Sequence, residues 1–522
     1  MEDFEMKIKY SILALVGLFA SSSLFAQDEA VRQAQIELTR SKALWFNSSN
    51  SAGMAVTPLS NYSIVGLGYS NTGGDFKMTQ EGKDKSVIKF GTEGTTRVGD
   101  TYLWGTFNYG NITEKKSSFL TNIYDPFRDM PYYVADATPS KWRKQEYDLG
   151  VKVAFPQLWD FVTAGGDLRY TTRTGAKQND PRSVTYYLTI SASPSFVFEL
   201  SEGSSLGLSL NYEYLFERAT NNRSDTEVNY PVYIMKGLGN YSAGVVSGTS
   251  GIGIFFYKGH RLGAGLQYGY NGGGEFSALA DVAYSYKVED AFQTPTKKQA
   301  MGSTVQNFWK GSLQLVKDGQ EYMHKATVSY TDKATDGIEY IQELDTSFDV
   351  SEWITLAKYV RSKYSLKSAA LNYEVFAKEG DAYSWRAGLD IEYSDKFDEY
   401  LLPVSTLKAE NLLLNVYGKK NFTVGSKSSL LAGVNVGYNA NLEGEYSYSG
   451  SYGTSDTVAK MYVNDIRYMS SDYMKLGAEL CWSTLVGPKT SMFVQARCQY
   501  YSPKGDDFSK RMYTDFSVGI TF

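Results

Sequence analysis

The sequence predicts an all-β chain that closes into a transmembrane antiparallel β-barrel of about 18 strands, with 16 to 20 as the range. Three observations carry this expectation. Long runs place an apolar residue at every second position, connections alternate between short and long, and the final stretch, MYTDFSVGITF, keeps the alternation up to Phe522.

The N-terminal region is read first. Lys7 and Lys9 precede the apolar run SILALVGLFA, which is followed by SSSLFAQ. A basic segment, a short apolar segment and a small residue predict a secretory signal peptide over 1–26, cleaved after Ala26. The apolar run is shorter than the roughly 20 residues that a membrane-spanning helix needs. Residues 27–60 form a second unit, a periplasmic or lumen-plugging segment. Its first part, 28–46, carries charges spaced as on a helix, with Val31, Leu38 and Trp45 near one face. The barrel is expected over 61–522.

Composition supports the β reading. Tyr (42) and Gly (48) are abundant, aromatics make up 15%, and Pro is sparse at 12. Mean hydropathy is only -0.34, as expected when half of every strand faces a polar interior. A formal net charge of -5 offers no basic field for nucleic acid, so none is expected as a partner.

The strands follow from period two. SLGLSLNYEYLF sets Leu206, Leu208, Leu210, Tyr212, Tyr214 and Phe216 on one face, against Gly207, Ser209, Asn211 and Glu213. YSWRAGLDIEY, YMKLGAELCWSTLV and FSALADVAYSY repeat the pattern. Such runs reach about 10 residues or more, whereas ordinary strands average roughly 5–6. Roughly nineteen candidate strands can be counted, but termini on one side require an even number. One strand is therefore either uncounted or counted in excess, and 239–275 is the doubtful zone.

Tight links are read at 97–100, 156–160, 201–203, 318–320, 379–381, 424–427 and 486–489, and long ones at 114–141, 218–239, 331–362 and 439–471. Short periplasmic turns and long external loops assign both termini to the periplasm. Pro194 interrupts VTYYLTISASPSFVFEL and has no N–H for a ladder bond. It is expected beyond the apolar belt near the short-turn rim, with a break in the wall at belt depth as the alternative.

Chemistry is scarce. Only His260 and His324 are present; His260 is read in a tight turn and His324 pointing outward. No motif sets either beside a nucleophile, so no enzyme activity, catalytic residue, metal site or cofactor is expected. Cys481 and Cys498 fall on opposite faces and are expected to stay unbridged. The acidic stretch TDGIEYIQELDTSFDVSE is read as a solvated surface. Lumen-lining candidates are Asp167, Arg169, Arg173, Arg386, Asp390, Glu392 and Arg497, since charges within a membrane must face a polar interior and usually pair.

The alternating last strand with its terminal aromatic resembles the C-terminal assembly signal of Gram-negative outer-membrane proteins. That resemblance implies location in the outer membrane, contact with its lipid, and insertion by the barrel-assembly machinery, with Phe522 as the signal. Asn50, Ser51, Ala52 and Gly53, before a Gly-rich first strand, are similar to the hatch segment of fatty-acid-transporter-like barrels, although Ser51 stands where that family has Pro. The similarity implies a transporter or channel for a small solute, with hydrophobic solutes included. The alternative is a non-transporting accessory protein that docks a protein partner through its long external loops.

Overall fold

A computed structural model describes residues 30–225, 227–246, 253–294, 298–347, 351–450 and 456–522. The expected signal peptide lies outside them. Eighteen strands form one closed antiparallel barrel. In chain order the first are β1 (Tyr62–Gly74), β2 (Asp84–Val98), β3 (Thr101–Ser117), β5 (Ser140–Ala154), β6 (Val162–Lys177), β7 (Arg182–Ser201) and β8 (Ser204–Asn222). Next come β11 (Ile254–Asn271), β12 (Phe276–Thr294), β13 (Gln299–Asp318), β14 (Tyr322–Asp345), β15 (Glu352–Glu379) and β16 (Ala382–Leu401). The last are β17 (Val404–Val424), β18 (Ser428–Tyr448), β19 (Tyr473–Gly487), β20 (Thr490–Pro503) and β21 (Arg511–Thr521). Each pairs with its neighbour, and β21 closes on β1 through Val65–Ile520 and Leu67–Val518. Phe522 extends this seam, exchanging two backbone hydrogen bonds with Ser63.

Three further strands lie outside the wall: β4 (Val134–Ala135), β9 (Tyr230–Gly237) and β10 (Asn240–Val246), in a separate small sheet. They resolve the crowding at 239–275. YSAGVV belongs to β10, and the two runs after it merge into the single strand β11. His260 is therefore not in a turn. It lies mid-strand on the outer face of β11, where it hydrogen-bonds to Tyr212 Oη at 2.9 Å.

The faces follow the pleat. Leu206, Leu208, Leu210 and Tyr212 of β8 point outward, with Leu210 49% exposed, while Ser205, Ser209 and Glu217 are buried inside. Leu476, Leu480 and Trp482 of β19 are exposed, while Cys481 and Ser483 are buried. An outer face of large apolar side chains suits lipid, and closure leaves the wall without an edge. Both cysteines are free.

Two expectations about the wall fail. Residues 331–362 are not a long loop. Residues 331–345 and 352–362 belong to β14 and β15, which pair out to Asp345–Glu352. β16 joins β15 only from Ser362 onward, so about 10 residues of β15 project as a two-stranded ribbon. Pro194 is not at the rim either. It pairs with Gly166 on β6, amid the outward residues Ile190 and Phe196. Toward β8 the ladder passes from Ala192–Tyr212 to Ser195–Ser209 without pairing Ser193 or Pro194. The register holds across this gap, and Asn211 Nδ2 donates to Ser193 Oγ at 2.8 Å.

Candidate functional site

The lumen is occupied from both ends by the chain's own segments. At the short-turn end, helix α1 (Gln33–Lys42) crosses the opening. It buries Ala34, Ile36 and Leu38, and its charges are matched by the wall. Glu37 pairs with Lys419 at 3.0 Å and Arg386 at 3.6 Å, and accepts a hydrogen bond from Tyr383. Lys42 pairs with Asp318 at 2.8 Å, and Arg40 with Glu93.

After α1 the chain turns up the inside of the wall. Trp45, 3% exposed, is seated against glycines. A Cβ on Gly269 would stand 2.6 Å from its ring, and one on Gly53 2.3 Å. A glycine in a strand interior marks close approach of another group, and here that group is the indole. Residues Ser51–Ala55 form a 3-10 turn. Ala52 N donates to Ser195 Oγ at 3.1 Å. Asn50 Nδ2 donates to Gln267 Oε1 and to Phe196 O, both at 2.9 Å. Ser49 N donates to Asp281 at 3.0 Å. Asn50, Ser51, Ala52 and Gly53 are thus all buried between this segment and the wall. Sequence reading placed Trp45 on a helical face and missed its seat. The signal lay in Gly207 and Gly269, both on inward faces.

At the long-loop end, the segment after β3 folds inward rather than outward. Phe119, Leu120, Ile123 and Met130 join a buried cluster with Trp142, Leu215, Phe255 and Tyr257 of the wall. Arg128 of this segment is 8% exposed; it pairs with Glu217 and, at 3.0 Å, with Glu289. Tyr124 N donates to Glu217 at 2.6 Å. Asp129 receives Lys333 at 2.7 Å. Helix α2 (Thr457–Met469) completes the closure. The Asp456 side chain caps it by accepting from Val458 N at 2.8 Å and Ala459 N at 3.3 Å, and Val458 and Met461 enter the same cluster. Asp465 accepts from Thr79 N at 2.7 Å, which ties α2 to the β1–β2 connection. Asp465 is enclosed, and burial pushes its carboxyl up to about 6 against the lowering effect of the Thr79 donors.

The lumen also holds cavities with charged residues in their lining. One, of about 320 Å³, is lined by Lys152, Asp167, Arg169, Glu213, Arg261 and Lys310. Another, of about 510 Å³, is lined by Glu37, Arg386, Lys419, Lys475, Glu479 and Arg497.

The sequence-selected residues distribute as follows. Asp167 and Arg169 share the first chamber and pair at 3.2 Å. Arg173, one strand register above, lies over the rings of Tyr124 and Tyr187. Arg386 meets Glu37 and Glu374, while Asp390 accepts from Asn372 and Asn415. Arg497 pairs with Glu479 at 3.5 Å in the second chamber. Glu392 lines a third cavity of about 290 Å³ beside Lys396. They therefore fall into separate sites rather than one path. Arg261, Lys310 and Lys419 were not selected, although each lies at an inward position of its strand.

No described group of His, Cys, Asp and Glu has the geometry of a metal site. No described helix is long and apolar enough to cross a membrane.

No curated protein matches the sequence. Solved structures with a similar course include the ferric preacinetobactin receptor of Acinetobacter baumannii, at 9% identity over 89% of this chain and 80% of that one, with a TM-score of 0.38. The FrpB iron transporter of Neisseria meningitidis is 9% identical over 91% and 83%, with a TM-score of 0.42. The outer-membrane transporter YddB of Escherichia coli is 8% identical over 88% and 81%, with a TM-score of 0.39. Likeness this distant transfers no function. One family model spans residues 51–522, most of the chain, so the protein belongs to the family of unknown function DUF6850.

Proposed function

We propose that this protein is an outer-membrane barrel that admits a small solute through a lumen gated by its own chain. It enters the envelope by the signal peptide at 1–26 and is inserted by the barrel-assembly machinery, with Phe522 as its signal. The short-turn end faces the periplasm. The segment 27–60 serves as a plug, and the segment after β3 together with α2 forms the outer closure. The observation that carries the reading is the docking of the chain's own segments at both ends of a lumen that holds charge-lined cavities. The segments are held by ion pairs and side-chain contacts, not by the hydrogen-bonded ladder of the wall, and such contacts can release without unfolding the barrel.

The chamber linings favour a polar solute over the hydrophobic one that the sequence resemblance allowed. Charged groups lining a cavity can orient a ligand that has charges of its own.

Swelling of proteoliposomes in a graded series of small solutes tests the reading. At least one solute should enter faster than into protein-free vesicles, and planar bilayers should record rare openings rather than a steady current. If no solute enters and no opening is recorded, the transport reading fails. The second reading is then favoured, in which the protein is an accessory component that docks a protein partner at its long-loop end. The β14–β15 ribbon, standing clear of the wall, is the observation behind that alternative.

A further inference from the structure

We infer that the 320 Å³ chamber beside the plug is a binding site for a small organic anion, a carboxylate or a phosphate ester. The inference rests on the transporter reading for its biological use, but not for its chemistry.

The argument begins with charge. The chain as a whole is acidic, at -5. The chamber's lining is not: it has four cations (Lys152, Arg169, Arg261 and Lys310) and two carboxylates (Asp167 and Glu213). The carboxylates are taken. Asp167 holds Arg169 at 3.2 Å, and Glu213 holds Arg261 at 3.5 Å. Two ammonium groups remain, and among the described residues neither Lys152 nor Lys310 makes an ion pair. Asp281, outside the lining, is engaged by Ser49 and Gln267.

Lys152 carries the most weight. It is 8% exposed, and its Nζ donates to Phe46 O at 3.2 Å beside the rings of Phe46 and Trp104. Its cross-strand neighbour Asp167 offsets part of the cost of burying this charge, but Asp167 is already held by Arg169. A fold that keeps an ammonium here gains when an anion enters the adjoining space. Lys310 stands opposite, exposed to the cavity. The remaining lining supplies neutral donors: the hydroxyls of Ser193, Ser209 and Ser285 and the Asn211 amide. Hydroxyls and an amide between two cations suit an anion with several oxygens. The volume is at the lower end of the range typical of small-molecule sites, roughly 300–1,000 Å³. The plug contributes Ser48 and Ser49 to the wall of the chamber, so a bound anion touches both the barrel and the gate.

The test is equilibrium dialysis of the detergent-solubilised full chain against labelled inorganic phosphate and labelled citrate, with glucose as the neutral control. Either anion is expected to bind saturably, at least tenfold tighter than glucose, and more weakly as salt rises. Lys310→Glu should weaken binding at least tenfold, whereas Lys475→Gln in the other chamber should leave it within twofold. Heat-modifiable mobility on gels reports whether each variant has folded. Ser285→Asp, which adds a carboxylate to the same space, serves if Lys310→Glu does not fold. Phosphate binding without citrate points to a phosphate ester, and the converse to a carboxylate. Absence of saturable binding by the wild type, or binding insensitive to Lys310→Glu and Ser285→Asp, overturns the inference. Anion binding by a protein that passes no solute would sink the transport reading and leave this site standing. Solute entry without anion binding would do the reverse.

Discussion

Replacing Arg128 with Met is expected to unseat the inward segment after β3. The guanidinium is 8% exposed and faces two fully buried carboxylates, Glu217 and Glu289. Removing one partner of a buried ion pair costs about 3–5 kcal/mol, because the remaining charge stays desolvated. The low end applies here. Glu289 keeps Lys287 at 2.5 Å, and Glu217 keeps the Tyr124 N–H at 2.6 Å. About 3 kcal/mol corresponds to roughly a hundredfold rise in the undocked population. Thiol labelling reads this directly. Ile123, fully buried, is changed to Cys in a background with Cys481 and Cys498 replaced by Ser. Its labelling rate should rise about a hundredfold with Arg128→Met. Adding Glu217→Gln should restore most of the protection, since the orphaned charge is then gone. A rate within twofold of the parent, or no recovery with Glu217→Gln, refutes the assignment of Arg128 as the latch.

Three other outcomes are expected. Burial holds the Asp465 carboxyl at about 6, above the ordinary 3.8. The folded protein therefore disfavours its charge, so docking of α2 is weakest above pH 6 and gains on the order of 3 kcal/mol as the pH falls toward 3.8. Hydrogen exchange in 457–469 should slow, after correction for intrinsic rates, between pH 7.5 and 4.5. Asp465→Asn should flatten that dependence, and an unchanged pH response would count against it. Phe522→Asp should lower the yield of heat-modifiable, membrane-inserted protein severalfold, and a wild-type yield would show that the terminal aromatic is dispensable. Cysteines placed at Thr346 on the ribbon and at Glu202 in a short turn should differ in intact cells, with a membrane-impermeant maleimide reaching only the first. Labelling of Glu202→Cys alone would invert the orientation.

The wall was legible because the pleat leaves a strand no choice. Once one side faces lipid, period two assigns every residue of β8, β16 or β19 to a face, and the register of β5 on β6 sets Lys152 beside Asp167. What was not legible depends on contacts distant in sequence. The segment after β3 has no period, so its inward course rests on Arg128 meeting Glu217 and Glu289, residues 89 and more positions away. The far ends of β14 and β15 read as an acidic loop because both faces of this ribbon are exposed and alternation fades. Pro194 looked misplaced in a wall, yet the ladder omits Ser193 and Pro194 toward β8 without shifting register. Among site residues, charges on inward faces were visible in the sequence. Which of them lack a partner was not, since pairing is decided across strands and against the plug.

The two closures have a consequence for the integrity of the envelope. They share no latch: α1 is held by Arg386, Lys419, Asp318 and Glu93, while the opposite segment is held by Glu217, Glu289 and Lys333. Suppose, for scale, that each undocks independently and stands open about one part in a hundred of the time. An uninterrupted passage needs both at once, so its probability is the product, about one part in ten thousand. A barrel with one such gate would leak a hundred times more. On the transport reading proposed above, the pair would work as an airlock, in which solute is held between doors that rarely stand open together, and a ligand that loosens one door need not breach the barrier.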